Sequence, residues 1–340
     1  MFFAYVFLFG LFSFAAGSFM KPLQHYIILL AFLPLFISVG SAADTHSVGV
    51  VLSVDNTLNR STYNAFSETL EVLGYGPDKL RVFVQKPHAD LFSWANSARR
   101  ADAAGVDALV TIGLPMTRVA LLETAGLPII FASVFTPLDI PIEGQRVLSD
   151  KDLQQAFGIY NEVPIATLLK AYADIKGPST VTAVFLANDP DATYQIFQLQ
   201  QAASFYNIRI NSSMLDPAHF SKSVQGLEAS SDAFFISSAL FDNAQLEKLL
   251  SHIETLRRPV LGLGTGLASR GALVSLENDS HEQGAVAAQK LVQVLKGEEV
   301  FHAVNHKPRK VDLVLNLLAA KTVNLQVPFN LLSSATRIIR

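Results

Sequence analysis

The sequence predicts an α/β protein made of two Rossmann-like lobes, each an open parallel sheet covered by helices, with a central cleft between them. Three observations carry that expectation. Short runs rich in β-branched residues alternate with helical patterns from residue 48 onward, the signature of a parallel sheet wrapped by helices. The pattern restarts near residue 181, and the two halves correspond locally. "VDALVTIG" (106–113) resembles "SDAFFISS" (231–238), and "LPIIFASV" (127–134) resembles "RPVLGLGT" (258–265). Small polar residues also gather where the strands end, and in such sheets ligands sit beyond the carboxyl ends of the strands.

The elements follow in order. "VGVVLSV" (48–54) is brief, apolar and valine-rich, as a strand buried on both faces requires. Tyr63, Phe66, Leu70 and Leu73 come next at helical spacing, and Gly74 stands where a left-handed residue would end the helix. "RVFVQ" (81–85), a helix near 88–104, "ALVTIG" (108–113), a helix from 116 and "PIIFASV" (128–134) complete the first series. In the second series "VTAVFLAN" (181–188) leads to Pro190, which suits the first turn of a helix. "DAFFISS" (232–238) and "PVLGLGT" (259–265) are further strands. Proline opens a strand in both halves, where its missing N–H matters least. No low-complexity linker separates the series, so short strand-like crossings are expected between the lobes.

Residues 1–43 are rich in phenylalanine and contain one charged side chain, Lys21. From Met20 the chain reads "MKPLQHYIILLAFLPLFISVGSAAD". A short positive start, an apolar core over 27–39 and the small residues Gly40, Ser41, Ala42 and Ala43 predict a signal peptide cut after Ala42 or Ala43, with translation starting at Met20. The apolar core is short for a bilayer span and contains Pro34; a retained anchor is the alternative. Cysteine is absent. That excludes disulfides, thiolate metal sites, cysteine nucleophiles and a lipid anchor on an N-terminal cysteine. An exported, untethered chain of this kind suits the periplasm of a Gram-negative bacterium. The formal net charge of −3 comes with no basic cluster, so nucleic acid is excluded as a natural partner. A length of 340 residues fits two domains.

The strand ends supply the candidate binding residues: Ser53 and Asp55, Gly113, Ser133 with Phe135 and Thr136, then Asn188, Ser237 with Ser238, and Thr265. They offer neutral hydrogen bonds to a small polar ligand, and Phe135, with Tyr194 or Phe241, is placed to cover an apolar part of it. Turn formation alone would also favour serine, asparagine and glycine at such places; the shared address at the strand ends favours binding.

Taken with "DALVTIGLPMTRVAL", "LPIIFASVFTP" and the C-terminal "VDLVLNLLAAKTVNLQVPFNLLSSATRII" (311–339), the chain over 47–340 resembles the type I periplasmic substrate-binding proteins of ABC importers, in the subgroup that includes aromatic and other amino-acid binders. The resemblance implies a Venus-flytrap cycle in which two lobes close on a solute and the closed form docks on membrane permease subunits. It places "FGIYN" (157–161) at a crossing and "GALVSLENDSHEQGAVAAQKLVQVLKGEE" (271–299) in the return to the first lobe. The expected lobes are therefore 44–157 plus 270–307 and 158–269 plus 308–340. By the same correspondence Asp279 becomes a candidate partner for a ligand amino group, with Ser280 and Gln283 forming the capping box of the following helix. Thr193 joins the candidates because the helix after Asn188 would present free backbone amides to a carboxylate. The acidic pair Glu277 and Asp279 departs from the family pattern. The function implied is that of a monomeric, non-enzymatic solute receptor without cofactor or metal, for an amino acid or similar molecule. A ligand sensor coupled to a sensor kinase is the alternative.

Other constellations fall away on context. "GLGTG" (262–266) leads into another strand, whereas a dinucleotide fingerprint needs a helix there. "HAVNH" (302–306) has no third metal ligand within reach. "GLASRG" (266–271) misses nucleophile-elbow spacing by one residue. An enzyme working through Asp279 and His281 would need acid–base chemistry that nothing else in the sequence supports. Trp94 lies on an apolar helical face and is expected in the core.

Overall fold

The computed structural model describes residues 45–142, 144–187, 189–228, 230–237, 239–298 and 307–340. The chain divides into a unit of residues 1–41 and a unit of residues 42–340. The expected signal peptide lies outside the described residues, and the fold is that of the second unit. Its first half comprises β1 (His46–Leu52), α1 (Thr57–Val72), β2 (Leu80–Gln85), α2 (Leu91–Ala103), β3 (Ala108–Ile112), α3 (Leu114–Glu123), β4 (Ile129–Val134), α4 (Asp150–Leu153) and β5 (Ala156–Tyr160). The second half continues with α5 (Ile165–Lys176), β6 (Ser179–Leu186), α6 (Pro190–Ala203), β7 (Ile208–Leu215), α7 (Phe220–Gln225), β8 (Ala233–Ser237), α8 (Asn243–Thr255), β9 (Val260–Leu263) and β10 (Val274–Asn278). Then come α9 (Ser280–Leu295), β11 (Val311–Asn316), α10 (Leu317–Thr322), α11 (Phe329–Ser334) and β12 (Arg337–Ile339).

The strands form two sheets, ordered β2-β1-β3-β4-β5 and β12-β11-β10-β9-β8-β6-β7. The first is wholly parallel. In the second only β11 runs against its neighbour β10. The order β7-β6-β8-β9-β10 repeats that of β2-β1-β3-β4-β5, so the local sequence correspondence falls on equivalent strands, β3 with β8 and β4 with β9. Hydrogen bonding repeats as well. Asp107, entering β3, accepts the Ser47 amide through its carboxylate at 2.7 Å; Asp232, entering β8, accepts the Thr180 amide at 2.9 Å. The carbonyls of Pro128 and Pro259 take the amides of Leu109 and Phe234 at 2.9 and 3.0 Å. Each aspartate satisfies the amide of the second residue of the neighbouring strand, at the strand's start.

Local signals hold where the backbone demands a particular residue. Gly74 adopts φ +79, its amide bonds Glu71 O, and Tyr75 N bonds Leu70 O. This is the Schellman closure of a helix end. Pro190 occupies the first turn of α6. Helix α9 crosses to the first sheet and lies against α1 at Gly284. A Cβ there would stand 2.2 Å from the Thr62 carbonyl and 2.6 Å from the Phe66 amide. Gly284→Ala is therefore expected to destabilise the protein by about 1–3 kcal/mol through overpacking, read as a lower urea midpoint with an unchanged slope.

Two boundaries differ from expectation. Residues 270–278 are expected with the first lobe, but β10 pairs with β9 through Val274 opposite Leu261 and Leu276 opposite Leu263. All five β10 residues are buried, and this strand lies inside the second sheet, between β9 and β11, before the chain crosses at Asp279. Among the described residues the return to the first sheet is made by α9. The first crossing also comes later than 157, because β5 continues beside β4 to Tyr160. Buried side chains run across the divide: Phe131 and Val134 of the first sheet belong to the same apolar cluster as Leu186, Ile236 and Phe241 of the second half.

Candidate functional site

The carboxyl ends of the two sheets face each other and are joined by side chains from the loops just beyond them. Asn56 caps α1 and its Nδ2 donates across to the carbonyls of Phe241 at 3.0 Å and Ala239 at 3.3 Å. Thr57 donates its hydroxyl to Asn243 Oδ1 at 2.8 Å. Thr136, in the loop after β4, donates both its amide and hydroxyl to Asp191 Oδ1 at 2.9 and 2.8 Å. At the crossing segments, Asn278 Nδ2 donates to the Asn161 carbonyl at 3.1 Å. Among the described residues a cavity of about 20 Å³ lies between the lobes, lined by Asn56, Phe241, Asn243, Thr265 and Arg270, room for one water. At these points the two lobes touch directly.

In this state the candidate residues make internal bonds. Ser53 is buried; its hydroxyl accepts the Met116 amide at 3.2 Å and its carbonyl accepts Trp94 Nε1 at 2.9 Å. Gly113 has φ +104, and a Cβ there would meet the Ser53 hydroxyl at 2.5 Å, so glycine makes room for that bond. Ser133 is a buried non-glycine residue with φ +56. Its hydroxyl lies 3.0 Å from that of Thr62 and its amide donates to Gln283 Oε1 at 3.0 Å. Backbone strain of this kind persists only where neighbours hold it in place. Phe135 is buried in the apolar cluster of the second half, with Leu263 and Leu276, and so packs across the cleft. Ser237 is buried and its hydroxyl accepts the Ala239 amide at 3.4 Å.

The remaining candidates lie apart, except Thr265, which lines the small cavity between the lobes. Asp55 sits at the rim, where an Arg60 hydrogen bond first, and Lys86 after it, holds its carboxyl below the usual carboxylate range. Thr265 donates to the Asn278 carbonyl at 2.6 Å. It shares with Asp279 a surface concavity that also contains Glu277 and Arg337. Asp279 caps α9, accepting the His281 amide at 2.8 Å. The expected capping box of Ser280 and Gln283 is not formed, because the Gln283 side chain turns inward to the Ser133 amide and the Tyr160 carbonyl, 3.2 Å away. Thr193 is exposed. The helix-end amides it was expected to offer are taken by Asp189, whose Oδ1 accepts Asp191 N at 3.0 Å and Ala192 N at 3.2 Å. Asn188, Ser238 and the histidines of "HAVNH" lie outside the described residues. Trp94 is in the core as expected.

The residues that sequence reasoning passed over are buried polar ones: Asn56, Asn161, Asp189, Asp191, Gln195 and Asn278. Asp189 and Asp191 dominate the electrostatics. Burial raises the carboxyl of Asp189; burial, and then the charge of Asp189, raises that of Asp191. Beside them Tyr194 is raised by burial and then by Glu162 and Asp139. One signal was available: Asp191, Gln195 and Leu199 recur at i, i+4 and i+8, placing two polar side chains on the buried stripe of α6.

Two α/β lobes meeting at their strand ends, with polar side chains buried between them, define a cleft-type binding protein. The profile of the ABC transporter substrate binding protein family matches residues 47–339, and this chain belongs to that family. No curated protein matches it. Among solved structures it is similar to the ABC domain in complex with L-Trp from Streptococcus pneumonia, at 18% identity and a TM-score of 0.77, covering 87% of this chain and 100% of that one. A conserved domain protein from Vibrio cholerae gives 21% identity and a TM-score of 0.77, over 86% of this chain and 99% of the other. A Bacillus halodurans ABC transporter solute binding protein with bound myo-inositol gives 15% identity and a TM-score of 0.56, over 84% and 98%.

Proposed function

We propose that this protein is the solute-capturing component of an ABC import system, holding an amino acid or a close analogue between its lobes and presenting it to membrane permease subunits. The observation that carries the reading is the pair of buried polar contacts between the loops of the two lobes, Thr136 to the Asp191 carboxylate and Asn56 to the Phe241 backbone carbonyl, in a chain whose family match spans 47–339. A ligand can draw lobes together only if it binds the closed form more tightly than the open one, and a solute touching both lobes would meet that condition. The streptococcal neighbour with L-Trp supports an amino acid. Within the same reading the protein acts as a monomeric, non-enzymatic receptor in the periplasm, exported by the apolar segment ending at Ala43.

A thermal-shift screen of the purified protein against amino acids, amines, sugars and polyols tests this. A true solute at a hundred times its Kd adds about 2.7 kcal/mol of stability, which moves the melting temperature by several degrees. The solute should be recovered unchanged after incubation. A panel without any shift, or a ligand converted to product, would count against the receptor reading.

A further inference from the structure

The carboxylates at the start of α6 specify one functional group of the solute. Asp189 and Asp191 are 4% and 1% exposed. Among the described residues neither forms an ion pair with a lysine, arginine or histidine, and Asp189 Oδ2 has no hydrogen-bond partner. One turn along the same buried face, Gln195 is 1% exposed, and neither its amide oxygen nor its amide nitrogen has a partner. A carboxylate taken out of water costs several kcal/mol unless a cation or a full set of donors replaces the water. Two such groups on one helical turn also repel each other. The helix-end amides on Asp189 and the Thr136 donors on Asp191 offset part of this. The surroundings add further negative charge, since Asp139 and Glu162 act on the neighbouring Tyr194, and the nearby Lys307 is held by Glu162 at 2.9 Å.

We propose that the missing partner arrives with the solute: an organic ammonium group seats on Asp189 and Asp191, with the Gln195 side-chain oxygen as a further acceptor. This rests on the solute-receptor reading above and narrows it to amino acids and amines, as against sugars, polyols and acids without a cationic nitrogen. Because Asp191 is already held by Thr136 of the other lobe, an ammonium on Asp191 engages both lobes through one carboxylate. The buried, unpartnered atoms of Asp189 and Gln195 are what such a group would satisfy.

The test is calorimetric titration of the intact protein with matched probes. These are L-tryptophan and indole-3-propionate, L-leucine and 4-methylpentanoate, putrescine, glucose and myo-inositol. Binding is expected from ammonium-bearing probes alone. Asp191→Asn should weaken it on the order of 100-fold, the usual scale for removing one partner of a buried charge pair. Asp189→Asn should weaken it too while preserving the helix cap, because asparagine caps as well as aspartate. If a deaminated or neutral probe binds, and both variants hold it as tightly as the parent protein, the ammonium site is wrong and the receptor reading survives. An ammonium probe held equally by parent and both variants also overturns the site. If nothing in the panel binds, the receptor reading fails and takes the inference with it.

Discussion

Replacing Trp94 with alanine is expected to destabilise the protein by about 3–5 kcal/mol, the range for deleting a large buried aromatic side chain. Trp94 is 2% exposed on α2 and belongs to the same apolar cluster as Leu109, Leu114 and Phe131. Its indole N–H is also the donor for the Ser53 carbonyl at the end of β1. Trp94→Phe restores most of the volume but leaves that buried carbonyl unpaired, for an expected loss of about 1–3 kcal/mol. Urea unfolding followed by circular dichroism separates the two terms, and its signal does not depend on the lone tryptophan. Should Trp94→Phe match the parent protein, the bond to Ser53 contributes nothing and the strand end is fixed by packing alone.

The second large effect is on pH. In the folded chain both carboxyls of the Asp189–Asp191 pair are raised above the ordinary value of 3.8, Asp189 by burial and Asp191 by burial and then by the charge of Asp189. Between the ordinary value and the raised ones, the native state binds more protons than the unfolded chain. By linkage, the stability of the ligand-free protein then falls as pH rises through that window. The rim and surface carboxylates Asp55, Asp90, Asp152 and Asp216 are lowered by hydrogen bonds. Their contribution has the opposite sign and is lost only below about pH 4, near the unfolded carboxylate value. The two windows do not overlap. Asp191→Asn removes the coupled charge, so its stability should vary less from pH 5 to 8 and should exceed that of the parent at pH 8. Melting temperatures at half-unit steps measure this; parallel curves for parent and variant would show that the pair is neutralised some other way.

Much of the architecture was legible because it depends on local pattern. Valine-rich runs gave strands buried on both faces, Gly74 met a positive φ, and Pro190 opened a helix. The repeated Asp-Ala and proline entries fell on equivalent strands because both halves use the same strand order and the same aspartate-to-amide bond. The site was legible only as an address. Ser53, Ser133 and Thr136 do lie at the strand ends, but their hydroxyls are taken by Met116, Thr62 and Asp191. Which hydroxyl is free depends on partners from 63, 71 and 55 residues away, and no local pattern encodes such distances. Gln283 looks like a capping residue by spacing; its inward turn depends on a strand laid beside it by the whole first sheet. Asp189 and Asp191 resemble ordinary helix-start acids, and no local pattern marks them as buried or marks Asp191 as the partner of Thr136 in the other lobe.

The bond between Asn278 and Asn161 ties two crossing segments together next to β5, at one edge of the first sheet. Thr136 follows β4, one strand away from that edge, and Asn56 follows β1, three strands away. With strands about 4.8 Å apart, the two contacts sit on lever arms of about 5 and 14 Å. A small rotation about the tied crossings would therefore part Asn56 from Phe241 about three times as far as Thr136 from Asp191. On such a rotation the Asn56 contact would break first and re-form last, while Asp191 would stay near its partner through most of the swing.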